Sequence, residues 1–491
     1  MLQFAATFAE AKTLRIGLAE DPDILDPASA RLFISGVVLA TMCDRLFAVG
    51  ENATIVPQLA TGFSWSDDHQ TVTIELRQGV RFHDGEPFDA EAVKYNIKRG
   101  LNLPGSVSKS YYGPISRIDT FGDYRIQIGF SSPYAPFIAN LTSRSGMMIS
   151  PKAAKEKGDA FAKHPVCAGP FKFVERIAQD RIVVERFEDY WNRENIFIDR
   201  VVFRHLDSAA RFANLRSGDV DLLERMAASD YVEISKCPQL KAASVSGFSY
   251  FYFYIIFNVA NRSRSQTPLG QDARIREAFE LSIDRNVIND VVFSGQYIPT
   301  NQWFPPDDPY YASNLPIMKR DVEQARRLLA EAGVPHPKLE LMLVPSPEIR
   351  QVAEMLQSMA GEAGFDISMR LTETATAVQA SRKGDFDAFL AGYLGRGDPH
   401  TQIAPSLACR GPFNEGRYCN SKLDQILLDA SEHFPPEERQ PLYHEAASII
   451  LRDRPNVYLV SRRFLFGFTA KLSGFRPIPG GFIHLQGVKL D

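Results

Sequence analysis

The residues of this chain that could carry out chemistry do not fall into a recognisable catalytic spacing. Its nine histidines are scattered, and His69, His83, His164 and His400 each stand apart from other metal-ligating or catalytic side chains. The sequence has no GxSxG nucleophile turn, no glycine loop with phosphate-binding spacing, and no HExxH or CxxC pair. Catalytic groups can also be assembled from distant positions, so this pattern disfavours an enzyme or a metal centre without excluding either.

The cysteines suggest one covalent link. Cys409 and Cys419 flank the turn-rich segment RGPFNEGRY, a short loop of the kind that disulfides often close, although a reduced pair is the alternative. The total of five leaves at least one thiol free. The partners of Cys43, Cys167 and Cys237 stay open at this level.

Length and composition indicate a soluble protein of two or three domains. The chain has 491 residues, of which 45% are hydrophobic and 23% charged, and its net charge of −4 is spread without a basic patch for nucleic acid. The most apolar run, 248–260, is too short for a membrane helix and is typical of a buried strand. Ala9-Glu10-Ala11 has the form of a signal-peptidase site, yet the preceding basic and long apolar regions are missing. A truncated export signal and a short disordered N-terminus are the two interpretations.

Local patterns predict alternating strands and helices. Residues 71–76 alternate as a half-buried strand, and Asp89 stands at the N-cap of the helix that follows. Residues 171–176 and 182–187 predict a hairpin. Alternation in 339–343 and 367–371, with a helical stripe between them, predicts a βαβ unit in an α/β sheet.

Two stretches carry a family resemblance. Residues 59–99, LATGFSWSDDHQTVTIELRQGVRFHDGEPFDAEAVKYNIKR, closely resemble the signature of family 5 of the extracytoplasmic solute-binding proteins of ABC importers, the peptide and nickel binders. Residues 164–191, HPVCAGPFKFVERIAQDRIVVERFEDYW, are similar to a second family segment. Cys167 and Ala168 replace the Gly and Thr usual there, whereas Gly169-Pro170-Phe171 is retained.

The resemblance implies an α/β fold of the two-lobed periplasmic binding protein type (type II), with an extra inserted domain and a ligand cleft between the lobes. Three segments, 1–49, 166–263 and 466–491, are expected to build lobe I. Residues 50–165 would form the inserted domain II, and 264–465 would form lobe II, also termed domain III.

The function implied by the resemblance is that of a monomeric periplasmic receptor, which delivers a small amine-bearing solute to the permease subunits of an ABC importer. Short peptides, glutathione-like compounds and opine-type conjugates are the candidate solutes. The resemblance implies no cofactor, no catalytic residue and no metal, and the exported location implies a disulfide between Cys409 and Cys419. A hydrolase acting on a similar solute is the alternative, and a nickel or haem receptor is a third option.

Asp398 is the foremost ligand candidate implied by the resemblance. It lies in a GDP-like loop where peptide binders of the family receive the α-ammonium of the ligand, which would form a strong charge-assisted pair with the carboxylate. The alternative is a helix cap, because Asp-Pro also begins helices. Dipeptide binders commonly carry a basic residue after the strand that ends near Val344, but the next arginine here is Arg350, which argues against a simple dipeptide. The remaining candidates are an anion partner, the Asn of the family's strand end and three aromatic residues: Arg396, Asn258, Trp303, Tyr393 and Tyr254.

Overall fold

The computed structural model describes residues 11–246, 251–394 and 397–491. Contacts divide the chain into two compact units. Unit 1 comprises 1–132, 137–245 and 464–491, and unit 2 comprises 133–136 and 246–463. In the described part of the chain, every helix is too short or too polar to cross a membrane.

The strands, in chain order, are β1 (Thr13–Leu18), β2 (Phe47–Val49), β3 (Ile55–Pro57), β4 (Ala60–Trp65), β5 (Thr71–Leu76), β6 (Ile115–Thr120), β7 (Arg125–Phe130), β8 (Phe171–Ile177), β9 (Arg181–Arg186), β10 (Arg200–His205), β11 (Leu222–Leu223), β12 (Leu240–Val245), β13 (Phe251–Phe257), β14 (Ile298–Pro299), β15 (Lys338–Leu343), β16 (Asp366–Leu371), β17 (Ala388–Leu394), β18 (Asn456–Arg462), β19 (Phe464–Thr469), β20 (Leu472–Ser473) and β21 (Lys489–Leu490).

The α-helices are α1 (Phe33–Met42), α2 (Ala90–Asn102), α3 (Pro136–Asn140), α4 (Pro151–Lys157), α5 (Ser208–Ser217), α6 (Ala228–Glu233), α7 (Pro268–Gln271), α8 (Ala273–Ser282), α9 (Arg285–Phe293), α10 (Val322–Glu331), α11 (Pro347–Ala363), α12 (Thr374–Lys383), α13 (Pro399–Leu407), α14 (Ser421–Glu432) and α15 (Pro436–Asp453).

Unit 1 is built on a seven-stranded sheet in the order β12-β19-β11-β1-β10-β9-β8. The central strand β1 runs parallel to both β10 and β11, and its last three residues are all buried, as expected for a strand covered on both faces. β8 and β9 form the predicted antiparallel hairpin. A separate four-stranded sheet, β4-β5-β7-β6, carries the predicted strand at 71–76 as β5.

Helix α2 begins where the sequence predicts. The side chain of Asp89 accepts a hydrogen bond from the backbone N–H of Ala92, which satisfies one of the free donors at the start of the helix. Val93 and Ile97, one turn apart, are both completely buried. The local pattern therefore decides this element, with a cap and an apolar face that agree.

Unit 2 is built on a six-stranded sheet in the order β14-β18-β13-β17-β15-β16. β15 pairs in parallel with β16, and α11 connects the two strands, so the predicted βαβ unit is confirmed. β17 lies on the other side of β15 and is also parallel to it. β13 and β18 then extend the sheet in antiparallel fashion.

The predicted lobe boundaries differ from the units at three places, one of which is 133–136, a segment predicted in the inserted domain that groups with unit 2. Residues 246–263 were assigned to lobe I, whereas β13 pairs with β17 and β18 and so belongs to unit 2. The return to unit 1 comes after residue 463, slightly earlier than the predicted start at 466. Residues 50–132 and 137–165 group with unit 1, and their separation as an inserted domain stays a prediction.

Two disulfides are present. The predicted bond joins Cys409 and Cys419, which are 10 residues apart, and a second bond joins Cys43 and Cys167, which are 124 residues apart. Cys237 is a half-buried free thiol. Gly169 lies so close to the end of α1 that a Cβ atom there would be 2.3 Å from the carbonyl oxygen of Met42, and this close approach brings the two cysteines together.

The loop around the second disulfide also holds His83 in one neutral form. Its Nδ1 accepts from the backbone N–H of Cys167 at 3.3 Å, and its Nε2 lies 3.0 Å from the carbonyl oxygen of Gly169, to which it donates. Burial lowers the pKa of His83 to about 4 from its ordinary 6.5. Protonation would remove the acceptor that Cys167 uses.

We expect His83 to make the protein acid-sensitive. As the pH falls below 6.5, His83 becomes protonated in the unfolded chain but stays neutral in the folded protein. The free energy of unfolding therefore decreases from its neutral-pH value until about pH 4, where folded His83 is protonated as well. Because the side chain is half-buried, the expected loss is about 2 kcal/mol. Denaturant titrations at pH 7 and pH 4.5 should therefore show a smaller pH effect in His83→Gln than in the wild type. An equal pH effect in both proteins would contradict this assignment.

Candidate functional site

The carboxyl edge of the sheet in unit 2 is the candidate site. The parallel strands β15 and β17 end there at Leu343 and Leu394, and α11 and α13 begin just beyond them. Phe251 pairs with Leu394 on one side and with Arg462 on the other, so the start of β13 and the end of β18 lie at the same edge. In open α/β sheets, ligands bind outside the carboxyl ends of the strands.

Asp398 lies at this edge as the N-cap of α13. Its Oδ1 accepts from the backbone N–H of His400 at 2.8 Å. The guanidinium of Arg439, on α15, donates to both carboxylate oxygens, at 2.9 Å to Oδ2 and 2.8 Å to Oδ1. Only 4% of Asp398 and 5% of Arg439 are exposed. The two side chains form a buried, bidentate and charge-balanced pair.

The electrostatics agree with a tightly coupled pair. Burial alone would lower the pKa of Arg439, but the adjacent carboxylate of Asp398 outweighs it and raises that pKa above its ordinary value. The hydroxyl of Tyr443 accepts a further bond from the same guanidinium at 3.0 Å. Arg439 was not among the predicted site residues, because a partner 41 residues away leaves no local pattern. The helix-cap interpretation of Asp398 is confirmed, and its role toward a ligand ammonium stays a prediction.

A neutral polar pair neighbours Asp398. The hydroxyl of Tyr252, the second residue of β13, donates to Oε1 of Gln402 at 3.0 Å. Gln402 lies one turn beyond Asp398 on α13, so β13 and α13 are joined directly at the edge. Neither residue belonged to the predicted set. The direction of β13, which places Tyr252 beside the end of β17, is the signal that would have indicated Tyr252 as a site residue.

Two of the predicted aromatic residues lie beneath this edge. The ring of Tyr254 stacks on Tyr458 at 5.4 Å with an angle of 9°, and the ring of Trp303 lies 5.3 Å from Tyr458. Tyr254 is 4% exposed and Trp303 is 2% exposed, so both belong to the core of unit 2. The indole Nε1 of Trp303 has no hydrogen-bond partner within the described ranges. Contact of either residue with a solute stays a prediction.

The last residues of β17 are only partly described. The backbone of Tyr393 pairs with Tyr252, while its side chain lies outside the described part of the structure. Arg396 lies outside the described residues altogether. Contact of Tyr393 or Arg396 with a solute therefore stays a prediction.

Asn258 is at the opposite edge of the sheet. It follows the end of β13, where Phe257 pairs with Ala388 at the start of β17, so about 20 Å of strand separates it from Tyr252. Asn258 is completely buried. Its amide donates to the carbonyl oxygens of Asn261, Gly384 and Phe386, and its Oδ1 accepts from the N–H of Asn261. The structure does not bring Asn258 together with Asp398, and contact of Asn258 with a solute stays a prediction.

Among the described residues, no three His, Cys, Asp or Glu side chains are grouped so as to hold a metal ion. The described edge thus consists of a neutralised ion pair, a tyrosine–glutamine pair and a layer of aromatic rings below them. These side chains are almost completely buried, so they form the charge-balanced floor of this edge.

A family model for the bacterial extracellular solute-binding proteins, family 5 (middle), matches residues 54–414. The chain belongs to this family. Both sequence stretches that suggested it contribute to the match, so the predicted resemblance is confirmed.

Individual relatives of this family member span almost its entire length. The glutathione-binding protein GsiB of Salmonella paratyphi A is 29% identical over 485 residues, which cover 96% of this chain and 93% of that protein. The periplasmic binding protein DppA of Helicobacter pylori, solved with the peptide STSA, is 24% identical with a TM-score of 0.84 and 98% coverage of both chains. AgaA of A. tumefaciens R10, solved with agropinic acid, is 24% identical with a TM-score of 0.84, covering 98% of this chain and 99% of that one. The predicted two-lobed α/β fold of the periplasmic binding proteins is confirmed.

Proposed function

We propose that this protein is the solute receptor of an ABC importer and that its solute is a small peptide-like compound, with glutathione as the first candidate. One observation carries the proposal. The similarity to the glutathione-binding protein of Salmonella paratyphi A extends over 96% of this chain and 93% of that protein, so it is not confined to one domain. Short peptides and opine-type conjugates are the other members of the proposed class.

The disulfides support an extracytoplasmic location. Cys43–Cys167 and Cys409–Cys419 are both closed, and such bonds form and persist mainly in oxidising compartments. A periplasmic receptor works in such a compartment, where it meets its solute and passes it to the permease. We therefore place the protein outside the cytoplasmic membrane and propose the permease subunits of the importer as its partners.

The described edge in unit 2 suits a peptide-like solute. Arg439 already balances the charge of Asp398, so this part of the edge has no excess charge for a strongly charged ion. Tyr252 and Gln402 are each 1% exposed and bonded to each other, so they add no charge to this edge either. Neutral hydrogen bonding next to aromatic surface is common in small-molecule sites.

Calorimetric titration tests the proposal. The purified protein is titrated with reduced glutathione, a dipeptide and agropinic acid, and we expect one of them to bind in a 1:1 complex with a Kd on the order of 1 μM or tighter. The solute is then recovered and its mass measured. A receptor returns it unchanged, whereas cleavage would favour the alternative of a hydrolase. Absence of binding to the whole panel would contradict the proposed class of solute.

A further inference from the structure

A groove with a volume of about 370 Å³ lies between α2 and α4 in unit 1. One wall comes from residues 86–98 and the other from residues 151–155. Four lysines line it, two from each helix and one helical turn apart in each pair: Lys94, Lys98, Lys152 and Lys155. We call this surface the lysine groove. Its volume lies within the range of about 300–1,000 Å³ that is usual for small-molecule sites.

Two of the four lysines are paired with carboxylates of the same groove. Nζ of Lys152 lies 2.9 Å from Oε1 of Glu86, and Nζ of Lys94 lies 3.7 Å from Oε1 of Glu91. The third carboxylate of the lining, that of Asp89, is the N-cap of α2. The groove therefore holds four ammonium groups against three carboxylates, and each of these carboxylates already has a partner inside the protein.

The other two lysines, Lys98 and Lys155, form no ion pair with any described residue, and both are exposed. Nζ of Lys155 lies 5.2 Å from the centre of the Tyr95 ring, a cation–π contact that holds this ammonium group against α2. Tyr95 and Lys98 are one turn apart on α2, so Lys155 lies beside the same stretch of that helix as Lys98. Two positive charges without a counter-ion thus face one part of the groove.

Hydrogen bonds between buried groups join the two walls of the lysine groove. Asn96 of α2 donates to the carbonyl oxygen of Ile149 at 2.9 Å and accepts from the N–H of the same residue at 3.1 Å. The next residue, Ser150, caps α4, and its hydroxyl donates to Oδ2 of Asp84 at 2.6 Å. The spacing of the walls is therefore set before any ligand arrives, and a preformed site needs little ordering on binding.

The unpaired charges define the chemistry that the groove would recognise. Positive groups gathered in a concave surface raise the local concentration of anions. A lysine ammonium binds a carboxylate or a phosphate group as a compact point charge. A ligand with one anionic group can neutralise only one of Lys98 and Lys155, whereas a ligand with two such groups can pair with both.

We propose that the lysine groove binds a small molecule that carries at least two carboxylate or phosphate groups, which pair with Lys98 and Lys155. The site is an anion site in unit 1, additional to the one that receives the transported solute. The inference goes beyond the proposed function and does not depend on it.

Calorimetric titration with citrate and, separately, with pyrophosphate at low ionic strength tests the anion site. We expect the wild type to bind at least one of them in a 1:1 complex with a Kd of about 1 mM or tighter. The double variant Lys98→Gln, Lys155→Gln should weaken this binding at least tenfold. Lys338→Gln, Lys383→Gln is the matched control, because it removes the same charge from two exposed positions in unit 2, and it should bind within about twofold of the wild type.

The two probes distinguish the sources of the anionic groups. Tighter binding of citrate supports a polycarboxylate as the ligand, and tighter binding of pyrophosphate supports a phosphate compound. A wild type that binds neither probe would overturn the proposal. Equal weakening in the two double variants would also overturn it, because net charge alone would then explain the binding.

Thermal unfolding gives a second measurement that does not rely on the heat of binding. A ligand that binds the folded protein raises its midpoint of unfolding. With the bound probe in excess, the midpoint should rise in the wild type and in the control variant, but not in Lys98→Gln, Lys155→Gln. An equal rise in all three proteins would place the anion elsewhere and overturn the proposal.

Discussion

Replacement of Asp398 by asparagine is expected to lower the free energy of unfolding by about 3–5 kcal/mol. The variant keeps the shape of the side chain and its ability to cap α13, but it removes the negative charge. Arg439, of which 5% is exposed, would then be a buried cation without a counter-ion. Removing one partner of a buried ion pair lowers the free energy of unfolding by far more than the intact pair adds to it. Chemical denaturation of both proteins measures the difference.

Asp321→Asn is the matched control for this prediction. Asp321 also caps a helix, α10, through a bond from the N–H of Gln324, but it is exposed, and no arginine among the described residues forms an ion pair with it. Asparagine caps nearly as well as aspartate, so this variant should change stability by only a few tenths of a kcal/mol. The double variant Asp398→Asn, Arg439→Met should recover part of the loss, because it removes the unpaired charge.

The same variant also tests the ammonium role of Asp398. If Asp398→Asn costs no more stability than Asp321→Asn while solute affinity falls at least tenfold, the carboxylate serves the ligand and the ion pair with Arg439 is not formed in solution. A large loss of stability, with affinity preserved in the molecules that remain folded, assigns Asp398 to the scaffold.

Removal of the Cys43–Cys167 disulfide is the second prediction with a large effect. The bond closes a loop of 124 residues, and the chain-entropy model gives about 4–5 kcal/mol for a loop of this length. The bond between Cys409 and Cys419 spans only 10 residues and should contribute about 2–3 kcal/mol. We therefore expect Cys43→Ala, Cys167→Ala to lose more stability than Cys409→Ala, Cys419→Ala.

Cys237→Ala is the control for both disulfide variants, because Cys237 is a half-buried free thiol. It should stay within about 0.5 kcal/mol of the wild type. Denaturant midpoints of the three variants under non-reducing conditions make the comparison. A reversed order of the two disulfide variants would contradict an account in which the unfolded chain dominates the effect.

Local patterns in the sequence predicted the local parts of the fold. The cap at Asp89, the alternation of Thr71–Leu76 and the βαβ unit of β15, α11 and β16 all depend on neighbours within one or two elements. The predicted bond between Cys409 and Cys419 likewise closes a short loop. In each case, cap or turn chemistry and hydrophobic periodicity agree, and such agreement makes a prediction reliable.

Pairings between residues far apart in the chain could not be predicted from the sequence. β13 belongs to unit 2 because it pairs with residues 388–394 and 456–462, and the sequence of 246–263 contains no pattern that identifies those partners. The direction of β13 also places Asn258 at the edge of the sheet opposite Asp398, which a family pattern without strand order cannot indicate. For the same reason, Arg439 and the pairing of Cys43 with Cys167 were not predicted.

Native mass spectrometry of the protein isolated from its own host tests the central claim most directly. A solute receptor should retain a small molecule in a 1:1 complex, and fragmentation of the released molecule should identify a peptide-like compound such as glutathione. Titration of the emptied protein with that compound should restore the complex and return the compound intact. Release of a cleaved product, or a protein that neither retains nor rebinds a peptide-like molecule, would contradict the account.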